Sequence, residues 1–153
     1  MKKKLTGIAG IIMNAPVAKV WEALTTPSII EQYFFGTHAV SDWKQGSPLI
    51  FKGEWEGKAY VDKGTILEII PQKLFRYDYW SSMSGVPDKP ENYVIISYEL
   101  TEKENGTYLL IRQENIPDKK TKEHSEQNWY IVLYALKDLL EKHLAKKEPM
   151  IFY

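Results

Sequence analysis

Val20-Trp21-Glu22-Ala23-Leu24-Thr25-Thr26-Pro27 decides how the rest of this chain is read. Val17, Val20, Trp21 and Leu24 recur at helical spacing, and Ala15-Pro16 opens that helix where proline is tolerated. Thr26 reads as an N-cap, with Pro27 at the first position of a second short helix. That helix runs through Ile29, Ile30 and Tyr33 to a stop at Gly36. Leu5 to Asn14, just upstream, reads as a strand. Two short helices therefore follow one strand.

Downstream the period changes. Leu49 to Gly53, Gly64 to Ile70, Leu74 to Trp80, Tyr93 to Leu100 and Tyr108 to Asn115 are short, β-branched or aromatic, and bounded by Gly, Pro or Asn. His38 to Trp43 supplies one more strand, which with the first makes about seven in a meander. Asn105-Gly106 is the strongest short turn signal, because both residues tolerate positive φ. A two-residue turn there sets Glu99 opposite Arg112, Leu100 opposite Ile111 and Tyr98 opposite Gln113. A four-residue turn slides these pairs but leaves each side chain on the same face.

The last element is a helix from roughly Lys119 to Lys146. Trp129, Val132, Leu133, Leu136, Leu139, Leu140 and Leu144 gather into one stripe, which turns polar toward Glu126, Ser125 and Lys122. The apolar half suits docking on a sheet. The wetter half either meets solvent or roofs a cavity.

Composition narrows the function classes. The chain has 153 residues, 20 Lys plus Arg against 20 Asp plus Glu, 44% hydrophobic residues and no cysteine. One domain over 1–153 is expected, large enough to bury roughly 70% of its unfolded surface. Balanced charge argues against nucleic acid and anionic membranes as partners. Without Cys there is no disulfide, thiol nucleophile or thiolate metal site. Met1-Lys2-Lys3-Lys4 imitates a charged leader, but Thr6, Gly7 and Gly10 interrupt the apolar run behind it. No stretch approaches the ~18 apolar residues of a membrane span, and a cytoplasmic protein is expected. Aromatic residues make up 13%, as in a large core or a lined cavity.

The order strand, two short helices, antiparallel meander, long C-terminal helix resembles the helix-grip fold of the START-like (SRPBCC) superfamily. Val20 to Pro27, leading to the aromatics Tyr33-Phe34-Phe35, resembles the opening block of the activator of heat-shock-protein-90 ATPase homologue-like family. Gly64-Thr65-Ile66-Leu67-Glu68-Ile69-Ile70-Pro71 is similar to its next block. Gly106 to Ile111 and the helix with Trp129 and Leu136 are similar to its closing blocks. Two departures stand out: Tyr33 where the family commonly has Trp, and a Ser-, Gly- and Pro-rich stretch from Ser81 to Asn92 that aligns with nothing. The resemblance implies an α+β fold, a curved seven-stranded antiparallel sheet wrapped around the C-terminal helix with a cavity between them. Family members include co-chaperone relatives, small-molecule binders, and proteins compared with polyketide cyclases or with resistance proteins, so the fold alone does not choose a function.

No catalytic motif is present. His38, His124 and His143 lack zinc-ligand spacing, and there is no Gly-x-Ser-x-Gly elbow, P-loop or dinucleotide pattern. No metal and no cofactor are expected. Phe75, Tyr77 and Tyr79 share one strand face, and Tyr98 and Gln113 reach the same side by the hairpin parity. Polar tips gathered on an apolar wall suit a ligand pocket better than a collapsed core. The expected lining is Phe51, Tyr77, Tyr79, Tyr98, Ile111, Gln113, Trp129 and Leu133, with Tyr79, Tyr98 and Gln113 orienting a polar group. The expected partner is a small apolar or amphipathic molecule. A cyclase- or hydratase-like enzyme using a tyrosine or Glu126 for protons is one alternative, although no acid–base pair is evident. A protein-interaction module is another, and the apolar end Met150-Ile151-Phe152-Tyr153 suggests a homodimer.

Overall fold

Pro16 and Pro27 each mark a helix start in the computed structural model, which describes residues 4–147 and side chains up to Lys142. Pro16 is extended and caps α1 (Val17–Thr25) from outside, one position earlier than the sequence suggests. Pro27 does open α2 (Pro27–Tyr33), but Thr26 caps it by backbone shape alone, with no side-chain hydrogen bond. Tyr33 explains its own departure from the family pattern. Its buried phenol donates to the Ala23 carbonyl at 2.9 Å, close to the end of α1 where carbonyls begin to lack helical partners.

The strands are β1 (Leu5–Met13), β2 (His38–Ser41), β3 (Pro48–Trp55), β4 (Lys58–Ile70), β5 (Leu74–Tyr79), β6 (Val94–Lys103) and β7 (Gly106–Ile116), followed by α3 (Lys119–Lys147). They form one antiparallel sheet in the order β1-β7-β6-β5-β4-β3-β2. β1 and β2 are thus opposite edges, and the two short helices carry the chain across six strand spacings, about 29 Å. This is the expected helix-grip architecture.

Two turns differ from expectation. β4 starts at Lys58, well before Gly64, because Glu56 and Gly57 both take positive φ (51° and 81°) and close a tight hairpin with β3. The β6–β7 turn is Glu104-Asn105, with Gly106 already in the strand. Tyr98 therefore pairs with Ile111 and Leu100 with Leu109, a slide of two residues that leaves every side chain on its expected face. Gly106 serves close approach: a Cβ there would sit 2.1 Å from the Met13 carbonyl oxygen of β1. Arg112 Nε still donates to Glu99 at 2.6 Å, but as a diagonal, half-exposed pair worth less than about 1 kcal/mol.

Along α3, Trp129, Val132, Leu133, Leu136 and Leu140 are buried against the sheet, with Leu139 partly so. His143 and Leu144 have side chains outside the described set, and Met150–Tyr153 lie outside the described residues altogether. The helix flank also closes the open edge of β1. The Ile8 N–H donates to Glu126 (2.8 Å), the Gly10 N–H to Tyr130 Oη (3.4 Å) and the Asn14 N–H to Glu141 (2.9 Å), while Lys137 Nζ donates to the Ile12 carbonyl (3.3 Å). Side chains from successive turns thus answer alternate residues of an edge strand that would otherwise invite another chain. The Ile8 N–H, and then Lys122, hold the Glu126 carboxyl below its ordinary range.

Candidate functional site

Between the concave face and the first half of α3 lies a cavity of about 620 Å³. Its sheet wall is Phe51 of β3, Tyr60 and Asp62 of β4, Tyr77 and Tyr79 of β5, Ile96 of β6 and Gln113 of β7. Strand alternation turns Tyr60 and Asp62 to the same face as Ile66, as it does Tyr77 and Tyr79 with Phe75. Phe34, at the end of α2, closes one side. It stacks on Phe51 (centroids 6.0 Å, 15°) and meets Trp129 of α3 edge-on (6.0 Å, 78°). Phe51 also meets Tyr79 at 5.8 Å, which makes the wall one continuous aromatic surface.

The mouth is apolar yet solvent-facing. Phe35, Trp55, Met83 and Ile131 all line it and are all about half exposed. Phe35 is held at φ 55°, beside Gly36 at 73°, and packs against Trp55 at 6.3 Å. A bulky side chain in the left-handed region stores on the order of 1–2 kcal/mol, and that strain sits at the entrance. Met83 comes from the Ser81–Asn92 stretch, so part of that segment borders the opening. The segment is tethered by Asp88, which pairs with Lys63 (2.5 Å) and accepts from the Tyr93 phenol (2.6 Å).

Polar groups are few, and most are already paired. Gln113 Oε1 accepts from Trp129 Nε1 at 2.7 Å, and Gln113 Nε2 reaches Ser125 Oγ at 3.4 Å. The Thr37 and Tyr60 hydroxyls share a 2.5 Å hydrogen bond. The Tyr79 phenol donates to Asp62 Oδ2, and the Ser82 N–H donates to Oδ1 at 3.1 Å. Burial, then the adjoining Asp62 carboxylate, push the Tyr79 phenol well above its ordinary value, so it remains the donor. His124 and Asn128 pair at 3.2 Å on the helix side.

Of the residues expected to line the site, Phe51, Tyr77, Tyr79, Gln113 and Trp129 meet there. Tyr98, Ile111 and Leu133 do not; they lie in the packed core. The Tyr98 phenol is turned onto the Tyr77 hydroxyl at 2.7 Å, so two buried polar tips satisfy each other without a ligand. Ile111 and Leu133 are fully buried, at 2% and 0% exposure. Glu126 does not line the cavity, because its carboxylate is taken by the Ile8 N–H and Lys122 (3.2 Å). The sequence signals a strand only from Gly64, so Asp62 and Tyr60, which belong to β4 from Lys58 onward, fall outside the expected lining. The period-2 alternation of Tyr60, Asp62 and Ile66 was the available signal.

Among the described residues, no three His, Cys, Asp or Glu side chains converge as metal ligands; His38 pairs instead with Glu31 at 3.0 Å. Among the described residues, no helix is long and apolar enough to cross a membrane. Residues 14–141 match the family described as activator of Hsp90 ATPase homolog 1-like protein. The chain belongs to that family. Among solved structures of similar fold is ChR145 from Cytophaga hutchinsonii, with 45% identity over 95% of this chain and 99% of that one, and a TM-score of 0.82. The Aha1 dimer from Colwellia psychrerythraea is 22% identical over 90% of this chain and 96% of that one, with a TM-score of 0.72. CalU16 from Micromonospora echinospora is 19% identical over 90% of this chain and 83% of that one, with a TM-score of 0.70. The last two are likenesses of fold alone. No curated protein is similar enough to the chain to count as a match.

Proposed function

We propose that this Aha1-like chain is a small-molecule binding protein that takes one largely apolar ligand into the cavity between sheet and α3. The observation that carries this is the continuous aromatic wall, Phe34, Phe51, Tyr77, Tyr79 and Trp129, around about 620 Å³ of space with an open mouth. That volume is in the usual range of ligand pockets, and the few polar groups sit where they can orient a guest. A core of this size would otherwise close over such a gap. The enzyme alternative loses one of the groups assigned to it, since Glu126 is committed to the edge of β1. Self-association belongs to the same proposal. The Colwellia relative is a dimer, and Ile8, Ile12, Tyr130 and Tyr134 are exposed on β1 and α3 of this chain.

The test is to fill the cavity. Ser125 lines it from α3, and Ser125→Trp places an indole in the space a ligand would use. Titration of the neutral fluorophore N-phenyl-1-naphthylamine should give saturable, one-to-one enhancement with the wild type. The variant should show enhancement reduced by about tenfold or more, from loss of a site worth a few kcal/mol, with an unchanged unfolding midpoint. Equal enhancement in both proteins would overturn the reading.

A further inference from the structure

Among the described residues Asp62 is the one carboxylate in the lining, only 6% exposed, and it makes no salt bridge. The lining holds no lysine or arginine among the described residues. The adjacent Lys63 points to the other face of β4, where it pairs with Asp88 and lies over the Trp80 ring. A charge buried in an apolar wall needs compensation, and Asp62 receives only two neutral donors, the Tyr79 phenol and the Ser82 N–H. A carboxylate offers about four acceptor positions, so each oxygen keeps one free. The surrounding surface is aromatic: Phe51 sits opposite Asp62 in the β3–β4 register, and Tyr60 and Tyr79 flank it.

We infer that the ligand carries a protonated amine, anchored on Asp62, on an aromatic or alicyclic body that fills the Phe34–Phe51–Trp129 wall. This rests on the proposed binding function and names the chemical class it serves. An ammonium completes the charge that the two neutral donors leave uncompensated. Ring faces of Phe51, Tyr60 and Tyr79 replace part of its hydration, as aromatic cages do for cations. A ligand carboxylate would meet Asp62 at low dielectric and be excluded. Neutral apolar molecules would enter but would leave the Asp62 charge as it was.

Three probes of one shape separate these outcomes: 2-naphthylmethylamine, 2-naphthylmethanol and 2-naphthoate, titrated at neutral pH by calorimetry. In the wild type the amine should bind about tenfold or more tighter than the alcohol, as expected for a charge-assisted hydrogen bond, with the naphthoate weakest. Asp62→Asn keeps the side-chain shape but removes the charge, and should bring the amine to the level of the alcohol when both are measured on that variant. Tyr79→Phe removes a competing donor but not the charge, and should preserve the preference for the amine. Alcohol or naphthoate binding as tightly as the amine in the wild type would overturn the inference while leaving the cavity reading intact. So would an amine preference that survives Asp62→Asn. Binding of none of the three would overturn both.

Discussion

Gly64→Ala should fail to fold, or lose about 3 kcal/mol or more of stability, as overpacking against rigid backbone does at its upper range. A Cβ on Gly64 would lie 1.7 Å from the Asp78 carbonyl oxygen and 2.7 Å from its carbonyl carbon. These are backbone atoms of the neighbouring strand, so no rotamer change relieves the clash. The approach is part of the sheet's design: Thr65 N–H donates to Asp78 Oδ1 at 2.7 Å, and Lys63 and Trp80 exchange backbone hydrogen bonds of 3.0 and 2.8 Å. Forcing β5 away from β4 there would also displace Tyr79 and Asp62. Soluble yield and urea unfolding measure the effect. Gly36→Ala is a useful comparison, since its φ of 73° is unfavourable but nothing lies within 4 Å, and its cost should stay near about 1–2 kcal/mol. Equal behaviour of the two variants would show that β4 and β5 are not this close.

Leu133→Ala should cost roughly 2–5 kcal/mol and lower the melting temperature by on the order of 10 °C. Leu133 is fully buried on α3 but does not line the cavity, so the substitution opens a void in packed core. Folded protein should still take up N-phenyl-1-naphthylamine. A near-unchanged melting temperature with altered uptake would instead place Leu133 in the site.

Leu133 also marks the limit of what could be read from the sequence. Helical spacing places it on the sheet-facing stripe, and β-strand parity places Ile111 and Tyr98 on the concave face; both are correct. Neither spacing nor parity says how far α3 stands off the sheet at each turn. That gap is set by the sizes of facing side chains: at Leu133 it is closed, and one helical turn earlier, at Trp129, it has opened. The same limit separates Tyr98 from Tyr79. Both are inward phenols, but one is spent on Tyr77 and the other on Asp62, a carboxylate in the part of β4 that the sequence does not announce.

Strand order, by contrast, is legible because each strand carries its own period and, apart from the long β5–β6 connection, the hairpins are short. The closing β1–β7 pair is the exception. Nothing local in the sequence announces it, since the two strands lie far apart along the chain. Glu56-Gly57 carries no strong turn signal because Glu is not a usual left-handed residue, whereas Asn105-Gly106 carries a strong one although the turn is Glu104-Asn105.

The most direct measurement is native mass spectrometry of the chain purified from its own host, recorded as purified and again after incubation with the neutral probe N-phenyl-1-naphthylamine. One small organic molecule per folded chain, released on denaturation, is the expected result in at least the second spectrum, and the same spectra count subunits. A bare chain mass in both, from protein that unfolds cooperatively, would contradict the claim that this cavity is a binding site.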